Sequence, residues 1–254
     1  MNSNNPTYLV PDWPAPKSVR SAITLRTAGC SQAPFDSFNL ADHVGDHPSA
    51  VATNRQALTQ LLQLPSEPIW LHQVHGSEVV YGPEAAQKTT ADACYTDVLG
   101  QVCAVMTADC LPVLFCNQQG TKIAAAHAGW RGLCAGILRN TVSYFSPDQT
   151  IFAYLGPAIG PQVFEVGAEV REAFLSSAQN TQHQAMIDSA FRWSDDSRYL
   201  ADLYALARAE LACCGIDNVY GGDFCTYSQS EQFFSYRRNQ ITGRTASLVW
   251  LESL

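Results

Sequence analysis

The chain has 254 residues, of which 46% are hydrophobic, and this is enough to bury a sizeable core. No linker rich in glycine, serine or proline divides the sequence, so we expect one domain spanning residues 1–254. The net charge of −8, with only 15 lysines and arginines, argues against a nucleic-acid partner, because such proteins need basic patches.

Three further features of the sequence predict the cellular location of the protein. The opening MNSNNPTYLVPDWPAPKSVR has no cationic segment leading into an apolar stretch, so we expect no secretory signal. No apolar run approaches the length of a bilayer span, so we expect no membrane association. Nine cysteines without paired spacing are typical of a reducing compartment. Together these features predict a cytoplasmic protein.

Strand and helix patterns alternate along the chain. Strands are predicted at residues 21–25, 69–81, 102–106, 113–116, 123–127, 151–155, 218–225, 233–236 and 246–251, several of them rich in β-branched or aromatic residues. Helices are predicted at residues 49–63, 130–144, 167–177 and 199–214, the last with a leucine stripe at helical spacing and Gly215 as its stop. This density of both elements predicts an α/β domain and leaves the strand order open.

Cys110 and His127 lie at the ends of two neighbouring apolar runs, VCAVMTADCLPVLFC and TKIAAAHAGWRG. Each run predicts a buried strand, so the thiol and the imidazole should emerge at the same edge of a sheet. His75, in WLHQVHGSEVVYG, would join them if that run is also a strand. One thiolate and two imidazoles can bind zinc and leave its fourth position open. The alternatives are that Cys110 is a small core residue and that His127 is a hydrogen-bonded histidine beneath the next helix.

Other polar residues lie where the chain should change direction. The segment Gly129-Trp130-Arg131-Gly132 predicts a helix start directly after His127, whose backbone N–H groups could hold a phosphate. Its two glycines could equally serve a tight turn, since their spacing matches no P-loop. Arg26, Asn39 and Arg238 also end predicted elements or lie in loops. The three histidines in polar segments, His43, His47 and His183, are expected to be solvated.

Five motifs together closely resemble the YfiH-like family, also called the laccase-domain or polyphenol oxidase family. They are QVHG at 73–76, TADCLPVLF at 107–115, AAAHAGWRG at 124–132, LGPAIGP at 155–161 and FFSYRR at 233–238. The resemblance covers about residues 10–251. It implies a layered α/β fold with mixed β-sheets flanked by helices, similar to the cysteine-hydrolase-like fold.

The resemblance also implies a site and a set of activities. The zinc ligands of the family correspond to His75, Cys110 and His127, and its carboxy-terminal active-site arginine corresponds to Arg238. His72 lies outside the motif and is expected to be a local feature. Similar proteins phosphorolyse adenosine, inosine and methylthioadenosine and deaminate adenosine, so a nucleoside and phosphate are the expected small-molecule partners. Others carry a copper-dependent polyphenol oxidase (laccase) label or have been linked to the editing of peptidoglycan precursors.

The residues help to choose among these activities. A multi-copper oxidase uses many imidazoles, often in His-x-His pairs, whereas this chain has six histidines and no such pair. Zinc-activated water could attack C6 of adenine, although the usual zinc deaminase signature is absent, and Asp109 is our candidate for the general acid or base. For phosphorolysis, Arg238 and the helix start at Gly129, Trp130 and Arg131 could bind phosphate, with help from Arg26 and Asn39.

Two hypotheses of other classes stay open. Cys110 as nucleophile and His127 as base would make a metal-free cysteine hydrolase that acts on an amide. A nucleoside-binding protein without catalytic activity is the second. Neither the physiological substrate nor the oligomeric state can be predicted from these residues.

Overall fold

The computed structural model describes residues 7–85, 89–195 and 197–253. Within these residues three β-sheets and six α-helices form an α/β fold with mixed sheets, as predicted. The strands are β1 (Tyr8–Leu9), β2 (Val19–Thr24), β3 (Val79–Tyr81), β4 (Ala93–Thr96), β5 (Val102–Thr107), β6 (Leu111–Asn117), β7 (Ile123–Ala128), β8 (Ile151–Leu155), β9 (Glu165–Gly167), β10 (Phe191–Trp193), β11 (Arg198–Ala201), β12 (Val219–Gly221) and β13 (Thr245–Leu251). The helices are α1 (Pro48–Leu62), α2 (Trp130–Cys134), α3 (Ile137–Val142), α4 (Ala168–Ser176), α5 (Thr181–Ser189) and α6 (Leu203–Cys213).

The two larger sheets pack face to face. A six-stranded mixed sheet has the order β12-β8-β6-β7-β4-β3, and an antiparallel four-stranded sheet has the order β1-β2-β13-β5. Strand β6 shows how the core is divided, because its successive side chains point to opposite faces. Leu114 and Cys116 pack against the four-stranded sheet, whereas Val113 and Phe115 pack against the helices α2–α6. Helix α1 covers the outer face of the four-stranded sheet.

The pairing of β6 with β7 places the two central site residues together. These strands are antiparallel, with Leu111 opposite Ala128 and Pro112 opposite His127. Cys110 directly precedes β6, so its side chain lies at the sheet end where His127 leaves β7. The chain reaches this point from β5 of the other sheet, and it turns at Asp109, which has φ of +86°. The predicted convergence of Cys110 and His127 is confirmed.

Several predicted elements are wrong in their extent or type. The predicted helix at 199–214 begins as strand β11, and α6 starts only after Asp202, whose carboxylate caps the N–H groups of Tyr204 and Ala205. The predicted helix at 130–144 is two helices, because Gly136 adopts φ of +88°. The predicted strand at 218–225 is limited to β12. The aromatic segment at 233–236 is a loop and no strand; Phe233 and Phe234 are buried and Tyr236 is exposed.

The predicted strand at 69–81 is mostly irregular, and only β3 is regular. The N–H groups of Val74, His75 and Gly76 donate to the carboxylate of Asp92 instead of to a neighbouring strand. Helix α5 was not predicted, and it changes the environment of His183. This histidine is buried, with Nε2 3.4 Å from a Glu210 carboxylate oxygen, so the expectation that it is solvated is wrong. His43 and His47 are exposed, as expected.

No helix in the described part of the chain has the length and apolar character needed to cross a bilayer.

Candidate metal centre

His75, Cys110 and His127 converge on one point at the end of the six-stranded sheet. Their potential ligand atoms all lie within 4.8 Å of one another. Cys110 Sγ is 3.7 Å from His75 Nε2, and the two imidazole rings meet edge to face with centroids 4.8 Å apart. His127 is buried, Cys110 is half-buried and His75 is exposed, so the group opens to solvent on one side. The three residues can therefore bind one metal ion and leave a side of it accessible.

Asp92 orients two of these ligands. Its Oδ1 lies 2.8 Å from His127 Nδ1 and accepts the N–H of His75 at 2.9 Å, while Oδ2 accepts the N–H groups of Gly76 and Val74. Because Nδ1 of His127 donates to this carboxylate, Nε2 is the ring nitrogen left for the centre, and it can bind a metal once it has lost its own proton. Asp92 is fully buried, and no local pattern marks its role, because it only precedes a short apolar strand.

Glycine is needed where the next helix approaches the centre. A Cβ atom at position 129 would lie 2.9 Å from Cδ2 of His75 and 3.0 Å from Cys110 Sγ. At position 132 it would lie 2.7 Å from the carbonyl oxygen of Gly76. The predicted tight turn is therefore present, and it brings α2 against the ligands. The phosphate-binding role of Gly129, Trp130 and Arg131 stays a prediction; Arg131 is exposed and stacks over the ring of Trp130.

The thiol and the imidazole shift each other's protonation. Burial by itself would raise the pKa of Cys110, but the charge and hydrogen bonds of His127 and His75 outweigh it and lower this pKa to about 6. Burial would likewise lower the pKa of His127, but Cys110 and Asp92 together raise it to about 9. The pKa of the Asp92 carboxyl is lowered despite its burial, because His127 and two backbone N–H groups stabilise its anion. A thiolate, the form that binds metal, is thus favoured at neutral pH.

Asp109, our candidate general acid or base, has both carboxylate oxygens engaged. Oδ1 accepts the hydroxyl of Thr226 at 2.6 Å, and Oδ2 accepts the N–H of Arg237 at 2.6 Å. These bonds tie the turn before Cys110 to the carboxy-terminal loop. The contacts support a positioning role for Asp109, and a role in proton transfer stays a prediction.

Of the predicted substrate residues, Gly129 lies against the ligands, whereas Asn39 and Arg26 are engaged by other parts of the protein. Asn39 is completely buried; its carboxamide donates to Ala41 and Asp46 and accepts from the N–H groups of Ala41 and Arg244. These bonds engage both the amide and the carbonyl group of Asn39 within the protein, and its predicted contact with substrate stays a prediction. Arg26 is held by Asp36 and the carbonyl of Ser230.

Arg238 shares a surface depression with Arg26, and no metal ligand lines it. Its guanidinium donates to the carbonyl groups of Thr226, Tyr227 and Phe233, each at 2.7 Å. These contacts fix the loop that reaches Asp109 through Thr226. The predicted phosphate contact of Arg238 stays a prediction.

A cavity of about 750 Å³ is lined in part by residues that are close to the metal ligands in sequence, although none of the three ligands lines it. Its lining includes Leu71 and His72, which lead along the chain to His75, and Met106, which leads to Cys110. Gln73 joins these two segments, since its side chain exchanges two hydrogen bonds of 2.8 Å with the backbone of Met106. Trp70 forms part of the wall. The expected local role of His72 is therefore in this wall and outside the ligand group.

A family model described as multi-copper polyphenol oxidoreductase laccase matches residues 20–252. The chain belongs to this family. It is 54% identical over 246 residues to "Purine nucleoside phosphorylase YfiH" of Escherichia coli (strain K12), covering 96% of this chain and 98% of the relative. It is 50% identical, with the same coverage, to "Purine nucleoside phosphorylase PA4543" of Pseudomonas aeruginosa.

Solved structures of the family share the fold. The Neisseria meningitidis protein NMB0706 has a TM-score of 0.91 and 47% identity, with 98% of this chain and all of that chain covered. YlmD from Geobacillus stearothermophilus has a TM-score of 0.86 and 27% identity over 100% of this chain and 99% of that chain. The resemblance inferred from the five sequence motifs is confirmed.

Proposed function

We propose that this protein is a zinc-dependent purine nucleoside phosphorylase that acts on adenosine, inosine and methylthioadenosine and also deaminates adenosine. The observation that carries the proposal is the His75–Cys110–His127 group, oriented by buried Asp92, in a chain whose relatives at 50–54% identity are named purine nucleoside phosphorylases. The fold and the near-complete coverage of these relatives support the transfer of the activity.

The donor set supports zinc over a copper cluster. One thiolate and two imidazoles suit a tetrahedral zinc ion with an open fourth position. A multi-copper centre needs many more imidazoles, and the four remaining histidines, His43, His47, His72 and His183, belong to no group of three potential ligands among the described residues. The residues therefore fit one ion, in contrast to the multi-copper description of the family.

Phosphorolysis exchanges one bond at the ribose. A phosphate oxygen forms a bond to C1′ while the bond from C1′ to the base nitrogen breaks, and the base leaves with the electron pair and takes up a proton. A bound zinc ion would supply a Lewis acid there. His127 is held in one tautomer by Asp92, and the exposed side of the group admits substrate. The 750 Å³ cavity can receive the base against Trp70.

A product screen tests the proposal. Zinc-loaded protein is incubated with adenosine in the presence and absence of phosphate, and products are separated chromatographically. We expect adenine and ribose 1-phosphate only when phosphate is present, and inosine from deamination. The Cys110→Ala variant should form none of these products. The matched control is Cys30→Ala, at an exposed position outside the site, which should form all of them. If neither adenine nor ribose 1-phosphate appears with wild-type protein, the phosphorylase proposal is wrong.

A metal-free cysteine hydrolase is the second candidate, and one observation favours it. Cys110, His127 and Asp92 are arranged as nucleophile, base and orienting carboxylate, with a thiol pKa lowered to about 6. Elemental analysis and iodoacetamide labelling distinguish the two functions. One zinc per chain and a protected Cys110 support the metalloenzyme, whereas rapid alkylation of Cys110 in a protein purified without metal supports the hydrolase.

A further inference from the structure

We infer that Arg244 is the cation that binds phosphate beside the metal centre. The inference rests on the proposed phosphorolysis and assigns its anion-binding residue. Arg244 was not among the residues singled out in the sequence, because it lies in a short ITGRTA segment without a distinctive pattern. Its position beside the turn that carries Cys110 distinguishes it from Arg26 and Arg238.

The strand pairing places Arg244 at the edge of the centre. In the four-stranded sheet, Thr245 of β13 is opposite Thr107, the last residue of β5. Arg244 directly precedes Thr245, so it lies across from the turn that carries Asp109 and Cys110. Its backbone N–H donates to Asn39 Oδ1 at 2.9 Å, and a Cβ at Gly243 would lie 2.9 Å from Cβ of Asn39. This packing fixes where the arginine side chain starts.

The guanidinium of Arg244 has donors left over. Nη1 donates to the carbonyl oxygens of Thr242 at 2.8 Å and Gly243 at 3.0 Å. Its Nη2 and Nε donate to no atom of the described residues, and none of their carboxylates lies within ion-pairing distance. Arg139 and Arg26 differ, since they pair with Glu210 and Asp36. A half-buried guanidinium that makes no ion pair, and that has three free N–H bonds on Nη2 and Nε, can bind an anion such as phosphate.

The charged neighbours of Arg244 also place it near the ligand group. Burial lowers the pKa of Arg244, and the negative charges of Cys110 and Asp109 oppose that effect. Asp109 acts on Arg238 as well, but there the largest effect of a neighbouring charge is that of Arg26, and no metal ligand contributes. Asp109 is itself engaged by Thr226 and the N–H of Arg237, so it does not occupy the free donors of Arg244. An anion held by Arg244 would thus lie next to the open side of the ligand group.

The test compares Arg244→Gln and Arg244→Lys with Arg192→Gln, an exposed control. Phosphate KM is measured with zinc-loaded protein at saturating nucleoside, together with the Tm shift that inorganic phosphate produces and the zinc content. For Arg244→Gln we expect phosphate KM to rise about 10- to 100-fold and the Tm shift to vanish, because charge-assisted hydrogen bonds are lost. Nucleoside KM and zinc content should change less than about twofold, and Arg244→Lys should recover part of the effect.

An unchanged phosphate KM in Arg244→Gln, or a rise no larger than that of Arg192→Gln, would overturn the inference. If Arg244→Gln does not fold, the phosphate KM of Arg244→Lys is the test, because lysine keeps the charge and loses the planar N–H donors. A phosphate KM of Arg244→Lys equal to that of wild type overturns the inference. If wild-type protein shows no phosphorolysis, the proposed function is wrong. The Tm shift produced by phosphate then tests separately whether Arg244 binds an anion. Stabilisation by phosphate in wild type but not in Arg244→Gln supports the anion site, and no stabilisation of either refutes it.

Discussion

Replacing Asp92 by asparagine tests how the buried carboxylate supports the metal centre. Four donors point at this side chain: His127 Nδ1 and the N–H of His75 at Oδ1, and the N–H groups of Val74 and Gly76 at Oδ2. An amide has one acceptor oxygen, so two of these four donors would face an NH₂ group. If the amide nitrogen faces His127, the imidazole must shift its proton to Nε2, and that atom can no longer bind metal.

The expected cost follows from these contacts. Loss of such an orienting carboxylate lowers metal affinity about 10- to 100-fold, or about 1.4–2.7 kcal/mol. Each buried donor left without an acceptor lowers the free energy of unfolding by about 1–3 kcal/mol. Zinc affinity is measured by competition with a chromophoric chelator, and stability by urea unfolding of metal-free protein. The matched control is Asp188→Asn, whose carboxylate is exposed on the surface. If Asp92→Asn bound zinc within twofold of wild type, the orienting role would be refuted.

Three further predictions concern the same site. Gly129→Ala should lower zinc content strongly with little change in circular dichroism, because the new Cβ would meet His75 and Cys110; full zinc content would contradict this. In metal-free protein, the rate of Cys110 alkylation should rise with pH with a midpoint near 6, because the thiolate dominates above the lowered pKa. Added zinc should suppress the alkylation. A midpoint of about 8.5, the ordinary thiol value, would contradict the lowered pKa. Trp70→Ala should raise nucleoside KM about tenfold or more through lost stacking and leave phosphate KM unchanged; an unchanged nucleoside KM would remove the base from this cavity.

The central part of the fold could be predicted because its residues carry strong local signals. The runs that form β5, β6 and β7 are almost entirely apolar, and His127 and Cys110 interrupt them at their ends. Buried neighbouring strands bring such residues to a common edge, so the convergence follows from pattern alone. The leucine stripe of α6 is a strong local signal of the same kind. The predicted start of this helix is too early, because Asp202 caps the helix and strand β11 precedes it.

The supporting residues could not be found this way, because their roles depend on contacts distant in sequence. Asp92 receives donors from residues 74–76 and 127, and neither segment marks it in the sequence. Arg244 acquires its position from the pairing of β13 with β5, and strand order was not predictable. Arg238 was selected by resemblance, yet its guanidinium holds the loop carbonyls. Residue type and motif therefore identified the ligands but not the residues that position them or bind the anion.

X-ray absorption at the zinc edge tests the central claim most directly. The account predicts one zinc per chain with one sulfur scatterer at about 2.3 Å and two imidazole nitrogens at about 2.0–2.1 Å, with the sulfur lost in Cys110→Ser. A protein that retains no metal after loading, or a zinc surrounded by nitrogen and oxygen alone, would contradict the shared His75–Cys110–His127 site.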